Sequence, residues 1–150
     1  EFRRVLFRSD SLCYMANRQE VQQVFDEVYQ ALEEEGTFIF DVHSTYKIDS
    51  VFPEYSYHYQ TEEFAFLWDS YAGEKEHSIE HFLTFFVKEQ ETDEHFVRYD
   101  ELHQERTYSL DNYLRMLESA GFMNVKVYAD FTDEAPTETS ERWFFVCQRD

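Results

Sequence analysis

His43 follows the run TFIFDV, residues 37–42, with Asp41 inside that run and Ser44 just after it. An imidazole changes charge close to neutral pH, which suits His43 to bind a substrate or act as a base. A hydrogen bond that ties down the loop is its structural alternative. Tyr46, three residues on, is a weaker candidate for the same place. A second polar group lies in YDELHQER, residues 99–106. There Glu101, His103 and Arg106 could face a substrate or serve in structural ion pairs. Strand alternation puts Glu101 and His103 on one face and Arg106 on the other, unless the strand stops first. Arg142 stands beside an aromatic strand and is expected to pair with a carboxylate.

Two further groups have the right atoms in the wrong setting. His77 and His81, four apart, would share one face of a helix, but they lie in a strand pattern. No HExxH or CxxC accompanies them, so no metal site is expected. Cys13 has no neighbour in sequence that would activate a thiol, and a buried structural role is expected.

These side chains need elements to position them. Val21, Val24, Phe25, Val28, Tyr29 and Leu32 recur at spacings of three and four, which predicts a helix over 18–35 with one apolar stripe. Asn17 and Glu20 form a variant capping box at its start, and Gly36 is the expected left-handed terminator. Residues 37–42 read as a central parallel strand buried on both faces. Helix, glycine and buried strand make the second half of a crossover unit, and ligands in such sheets bind beyond the carboxyl ends of strands. Asp41, His43 and Ser44 occupy that position.

Residues 55–106 read as three or four antiparallel strands. Residues 76–90 and 94–106 should pair as a hairpin turning near 91–94. Ile79, His81, Leu83, Phe85 and Val87 share one face; Phe82, Thr84 and Phe86 share the other. With aromatics on both, one face can cover the domain while the other lines a cavity. A second helix is predicted over 109–120, capped by Ser109, buried through Leu110, Tyr113, Leu114 and Leu117, and ended by Gly121. Val125, Val127, Ala129 and Phe131 alternate as a strand, and residues 142–148 form a last buried strand.

The composition narrows the function. The chain of 150 residues carries 32 acidic against 13 basic side chains, a net charge of -19, which argues against a broad nucleic-acid surface. No apolar run approaches the roughly 20 residues needed to span a bilayer. The opening residues lack the apolar core of a signal peptide. Two cysteines, Cys13 and Cys147, make no disulfide framework, so a reducing cytoplasm is the expected setting. Residues 1–9, EFRRVLFRS, hold three of the thirteen basic residues, and their back-translation matches the end of a common sequencing adapter. They are expected to be an artefact, with the native chain starting at Asp10 in mid-domain.

Taken in order, a helix, GTFIFDVHS, a helix, AGFMNVKVYADF, a loop and ERWFFVCQ resemble the carboxyl-terminal half of a class I S-adenosylmethionine-dependent methyltransferase. DSLCYM, FDVHSTYK, EHFLTFF, YDELHQER and RWFFVC together resemble one bacterial subgroup of that family, over nearly all of residues 10–150. The resemblance implies a Rossmann-like α/β fold, amino-terminally truncated, with an antiparallel sheet inserted at about 54–106. It implies S-adenosylmethionine as cofactor and a methyl acceptor that the sequence does not name. In the family, residues after the fourth strand border the methionine end of the cofactor. Here these are Asp10, Ser11 and Leu12, with Tyr14 near; capping the loop is the alternative for Asp10 and Ser11. His43, Tyr46, His103 and Arg106 are the candidates on the acceptor side.

The family's Gly-rich loop and ribose-binding acid have no counterpart, since the glycines are Gly36, Gly73 and Gly121. The chain alone is therefore expected neither to bind the cofactor nor to methylate. Its bare sheet edge and the apolar faces of Val21, Phe25 and Val28 should invite self-association. The rival expectation is a non-enzymatic module whose aromatic sheet holds an apolar ligand or a protein partner.

Overall fold

The computed structural model describes residues 2–7, 11–90 and 94–150. Among the described residues the strands form two four-stranded sheets. The first, ordered β1-β2-β8-β7, consists of Phe2–Leu6 (β1), Leu32–His43 (β2), Asn124–Ala129 (β7) and Arg142–Gln148 (β8). Strand β2 runs parallel to β1 and antiparallel to β8, from Thr37 opposite Gln148 to His43 opposite Arg142. The flank of β2 that the sequence reading leaves bare is thus paired with Phe2–Leu6, within the segment set aside as an artefact.

The helices Arg18–Ala31 (α1) and Leu110–Ala120 (α2) cover one face of this sheet. Phe38, Phe40 and Val42 of β2 lie beside Cys147, Phe145 and Trp143 of β8, and Val21, Phe25, Leu117 and Phe122 close over them. The rings of Phe40 and Phe145 stack at 4.6 Å. Each such fully buried side chain contributes about 1.5–3 kcal/mol relative to exposure.

Helix α1 starts as its sequence dictates. The Asn17 side chain accepts from the Glu20 backbone N–H at 3.0 Å, while Glu20 accepts from that of Ala16 at 2.8 Å. Its end differs from expectation. The helix stops at Ala31, and the strand begins at once with Leu32 extended. Glu35, not Gly36, takes the positive φ, at 61°. The physical reason is Arg149, whose guanidinium donates to the carbonyls of Tyr29 (3.0 Å) and Leu32. A cation thereby satisfies orphan carbonyls at the helix terminus, and no glycine cap is needed. Helix α2 does end as expected: Gly121 has φ 116°, and its N–H reaches the carbonyls of Leu117 and Glu118. Strand β7 stops at Ala129, short of the expected Phe131. Asp130 and Phe131 both take positive φ, and Asp130 accepts from the backbone N–H groups of Glu141 and Arg142, each at 2.9 Å.

The second sheet, ordered β3-β4-β5-β6, holds Ser56–Gln60 (β3), Phe64–Ala72 (β4), Ser78–Lys88 (β5) and Phe96–Arg106 (β6), all antiparallel. Strands β5 and β6 pair from Ser78 opposite Arg106 to Lys88 opposite Phe96, the hairpin the sequence predicts. Of its expected turn, residues 91–93 lie outside the described residues. A π-type turn, Lys47–Val51, carries the chain from β2 into this sheet.

Candidate functional site

A cavity of about 550 Å³ opens where the second sheet faces the carboxyl end of β2. Every element around it supplies a side chain. Strand β2 ends in His43, the turn after it brings Phe52 and Tyr55, β4 brings Trp68, β5 His81, β6 His103 and Glu105, and β8 Arg142. The 3-10 turn Ser11–Tyr14 adds Tyr14. Phe52 is 7% exposed and forms the floor, with the rings of His43 at 5.1 Å and His81 at 4.8 Å standing edgewise to it.

The polar groups are ordered by the one among them that can only donate. The Trp68 indole N–H donates to Ser70 Oγ at 2.9 Å, and Ser70 Oγ lies 2.6 Å from His81 Nδ1. The Trp68 indole N–H also lies 3.1 Å from Nδ1, so that ring nitrogen has two neighbours able to donate to it. The other ring nitrogen of His81, Nε2, faces Glu105 Oε2 at 3.4 Å. His43 Nε2 meets the same oxygen, also at 3.4 Å. These are long contacts, and Oε2 has no fully formed hydrogen bond. Burial pushes the Glu105 carboxyl up, but the two imidazoles outweigh it and hold the group at about 2. Two other charges are matched locally: Arg142 with Asp41, and Lys47 with Glu141 at 2.7 Å.

Tyr14 and His103 close one side. The Tyr14 hydroxyl lies 2.9 Å from His103 Nδ1, and His103 Nε2 lies 2.8 Å from Glu101. Tyr14 and Glu105 also border a second cavity of about 370 Å³.

No protein-family model matches the chain. Two curated relatives, both named "Putative methyltransferase", match nearly all of it. One, from Geobacillus sp. (strain WCH70), is 46% identical over 140 residues, 93% of this chain and 56% of the relative. The other, YqeM of Bacillus subtilis (strain 168), is 40% identical over 149 residues, 99% of this chain and 59% of the relative. The chain thus spans a little more than half the length of the curated relatives it matches. Among solved structures, an S-adenosylmethionine-dependent methyltransferase from Clostridium acetobutylicum superposes with a TM-score of 0.86 at 23% identity, over 99% of this chain and 58% of that one. DesVI of Streptomyces venezuelae gives 0.77 at 14% identity, over 100% and 59%.

The chain is thus similar in sequence to relatives named putative methyltransferase, and its fold is that of the S-adenosylmethionine-dependent methyltransferase it superposes on. Its first sheet and two helices are part of that Rossmann-like fold, and the antiparallel sheet β3–β6 is set between the two halves of that part.

Within this methyltransferase fold the predicted residues separate. Asp10 lies outside the described residues. Ser11 is exposed, while Leu12, at 3% exposure, belongs to the hydrophobic core and not to a cavity wall. Of that group only Tyr14 lines the main cavity. His43 and His103 line it together; Tyr46 does not. Tyr46 is the helical residue that precedes the π-type turn. Arg106 lies on the opposite face of β6 from His103, as alternation requires, and borders the second cavity with its guanidinium 5.0 Å from the Tyr108 ring. Arg142 does pair with a carboxylate, that of Asp41.

Glu105 and His81 are the residues that sequence reasoning passed over. The signal was available for Glu105: positions 101, 103 and 105 share one strand face. For His81 the partner in view was His77, whose ring instead meets Asp49 at 2.6 Å. His43, His81 and Glu105 converge, yet among the described residues no group of three or more His, Cys, Asp or Glu is arranged to hold a metal ion. Among the described residues no helix is long and apolar enough to cross a membrane.

Proposed function

We propose that this chain is the acceptor-binding part of a cytoplasmic S-adenosylmethionine-dependent methyltransferase. The observation that carries this reading is the cavity at the carboxyl end of β2, in a chain up to 46% identical to curated methyltransferases. When bound, S-adenosylmethionine supplies an electrophilic methyl group that an acceptor's lone pair displaces from sulfur.

The residues of this chain fit the acceptor side better than the cofactor side. The 3-10 turn Ser11–Tyr14 offers part of a rim, and no Gly-rich loop accompanies it. What these residues do is hold, orient and dry the acceptor. Phe52, Tyr55, Phe66, Trp68 and Leu83 exclude water, and Glu105 fixes the two imidazoles in place. His43 and His103 stand in the wall where an acceptor proton would leave.

The chain by itself has too few contacts to offset the cost of immobilising the cofactor. Calorimetry on the 150-residue chain should show no heat up to millimolar S-adenosylmethionine. The same chain joined to the amino-terminal part of the Geobacillus relative should bind it. Tight stoichiometric binding by the chain alone would overturn the division of labour, and no binding by the joined protein would overturn the activity.

A further inference from the structure

The main cavity has walls of a particular chemistry. Tyr55 and Trp68 stand with ring centroids 5.1 Å apart and planes at 72°, so the two rings meet edge to face at a steep corner of the cavity wall. Phe52 closes the floor, and Lys47 Nζ, 4.9 Å from its centroid, already uses that ring as a cation surface. Ring faces arranged in this way attract positive charge and give nothing comparable to an anion.

The charges around the corner point the same way. Lys47 is taken by Glu141, Arg142 by Asp41, and His103 by Glu101 and Tyr14. Glu105, 6% exposed, remains as the one carboxylate in this wall whose ion pairs among the described residues are with imidazoles alone. His81 Nδ1 is occupied by Ser70 Oγ at 2.6 Å and the Trp68 indole nitrogen at 3.1 Å, so its Nε2 is the ring atom that faces the carboxylate, at 3.4 Å. In a partly desolvated cavity a carboxylate draws a cation far more strongly than it does in water. Two independent features, a corner of aromatic faces and a buried anion, therefore select one class of guest.

We infer that the cavity binds a methyl acceptor through a cationic amine, its nitrogen seated in the corner of Tyr55 and Trp68 within the field of Glu105. This rests on the reading of the cavity as the acceptor site. It adds that the acceptor arrives as an ammonium, not as a phenol, a carboxylate or a neutral amide, and that this nitrogen gives its proton to a wall imidazole or to water before its lone pair can take the methyl group. A volume of about 550 Å³ accommodates the nitrogen together with the part of the acceptor that carries it.

The test uses the full chain and two probes of one shape: choline, and its uncharged carbon analogue 3,3-dimethyl-1-butanol. Binding is followed through the Trp68 indole N–H signal in nitrogen-15 NMR at constant ionic strength. Choline should shift that signal saturably in the millimolar range, and the alcohol should bind at least tenfold more weakly. Glu105→Gln should weaken choline at least tenfold, with circular dichroism checking that it folds. Tyr55→Leu, at a 38% exposed position, should fold regardless and weaken choline at least threefold. Equal binding of the two probes, no saturable shift with choline, or unchanged affinity in both variants would overturn the inference. Because no cofactor enters this measurement, its outcome is separate from the calorimetric test: choline selectivity without cofactor binding by the joined protein would leave an ammonium receptor that is not a methyltransferase.

Discussion

Thr107 donates its hydroxyl to the backbone carbonyl of His43 at 2.6 Å, and the Tyr113 hydroxyl in turn donates to Thr107 at 3.0 Å. All three residues are buried. The bond joins the residue after β6 to the last residue of β2, so the inserted sheet is fastened to the core at the edge of the cavity. Thr107→Val keeps the shape and removes both bonds, leaving a carbonyl and a phenol unsatisfied. It should lower stability by about 1–3 kcal/mol in urea unfolding, and Thr107→Ser should recover most of the loss. No change with valine would show that the clasp carries no load.

Glu105 makes stability depend on acid. The two imidazoles hold its folded value at about 2, well below the usual carboxylate range, so the folded state prefers the ionised form. The contribution is fully present above the unfolded value and drains away as pH falls through it toward 2. Acid titration monitored by circular dichroism should show a steeper loss of stability below pH 4.5 for the native chain than for Glu105→Gln. Parallel curves would remove Glu105 from the account.

Gly121 cannot take a side chain without cost. Its φ of 116° is one that other residues rarely adopt, and a β-carbon there would meet the Tyr29 ring at 2.7 Å. Gly121→Ala should destabilise by about 1–3 kcal/mol, read as a lower urea midpoint with an unchanged slope. Gly36→Ala tests a different contact, since its added carbon would meet the Glu33 carbonyl at 2.7 Å with no positive φ involved.

Cys147 should be chemically silent in the folded chain. Burial pushes its thiol up to about 12, and it lies in the core opposite Phe38. At pH 8 it should react with a disulfide reagent only after denaturant is added. Rapid labelling of Cys147 in the native protein would mean that β8 opens readily.

Much of this was legible in the residues themselves. The stripes of α1 and α2, their caps at Asn17 and Ser109, the glycine stop at Gly121 and the buried run before His43 are local patterns, and local patterns act through bonds between near neighbours in sequence. The hairpin β5–β6 followed from alternation for the same reason. The same periodicity placed His103 and Arg106 on opposite faces, and the structure sends them to different cavities.

What local patterns could not decide was anything set by distant partners. The end of α1 is chosen by Arg149, which reaches Tyr29 and Leu32 from the far end of the chain. Phe131 leaves the strand because Asp130 is held by the backbone of Glu141 and Arg142. Tyr46 and His43 are close in sequence, yet of the two His43 lines the main cavity, while His43, His81 and Glu105, far apart in sequence, share one carboxylate oxygen. The sequence alone determined which elements form and which faces they bury, because those depend on spacing. Only the tertiary structure decided which polar side chains meet, because a buried charge takes its partner from whatever element the fold lays against it.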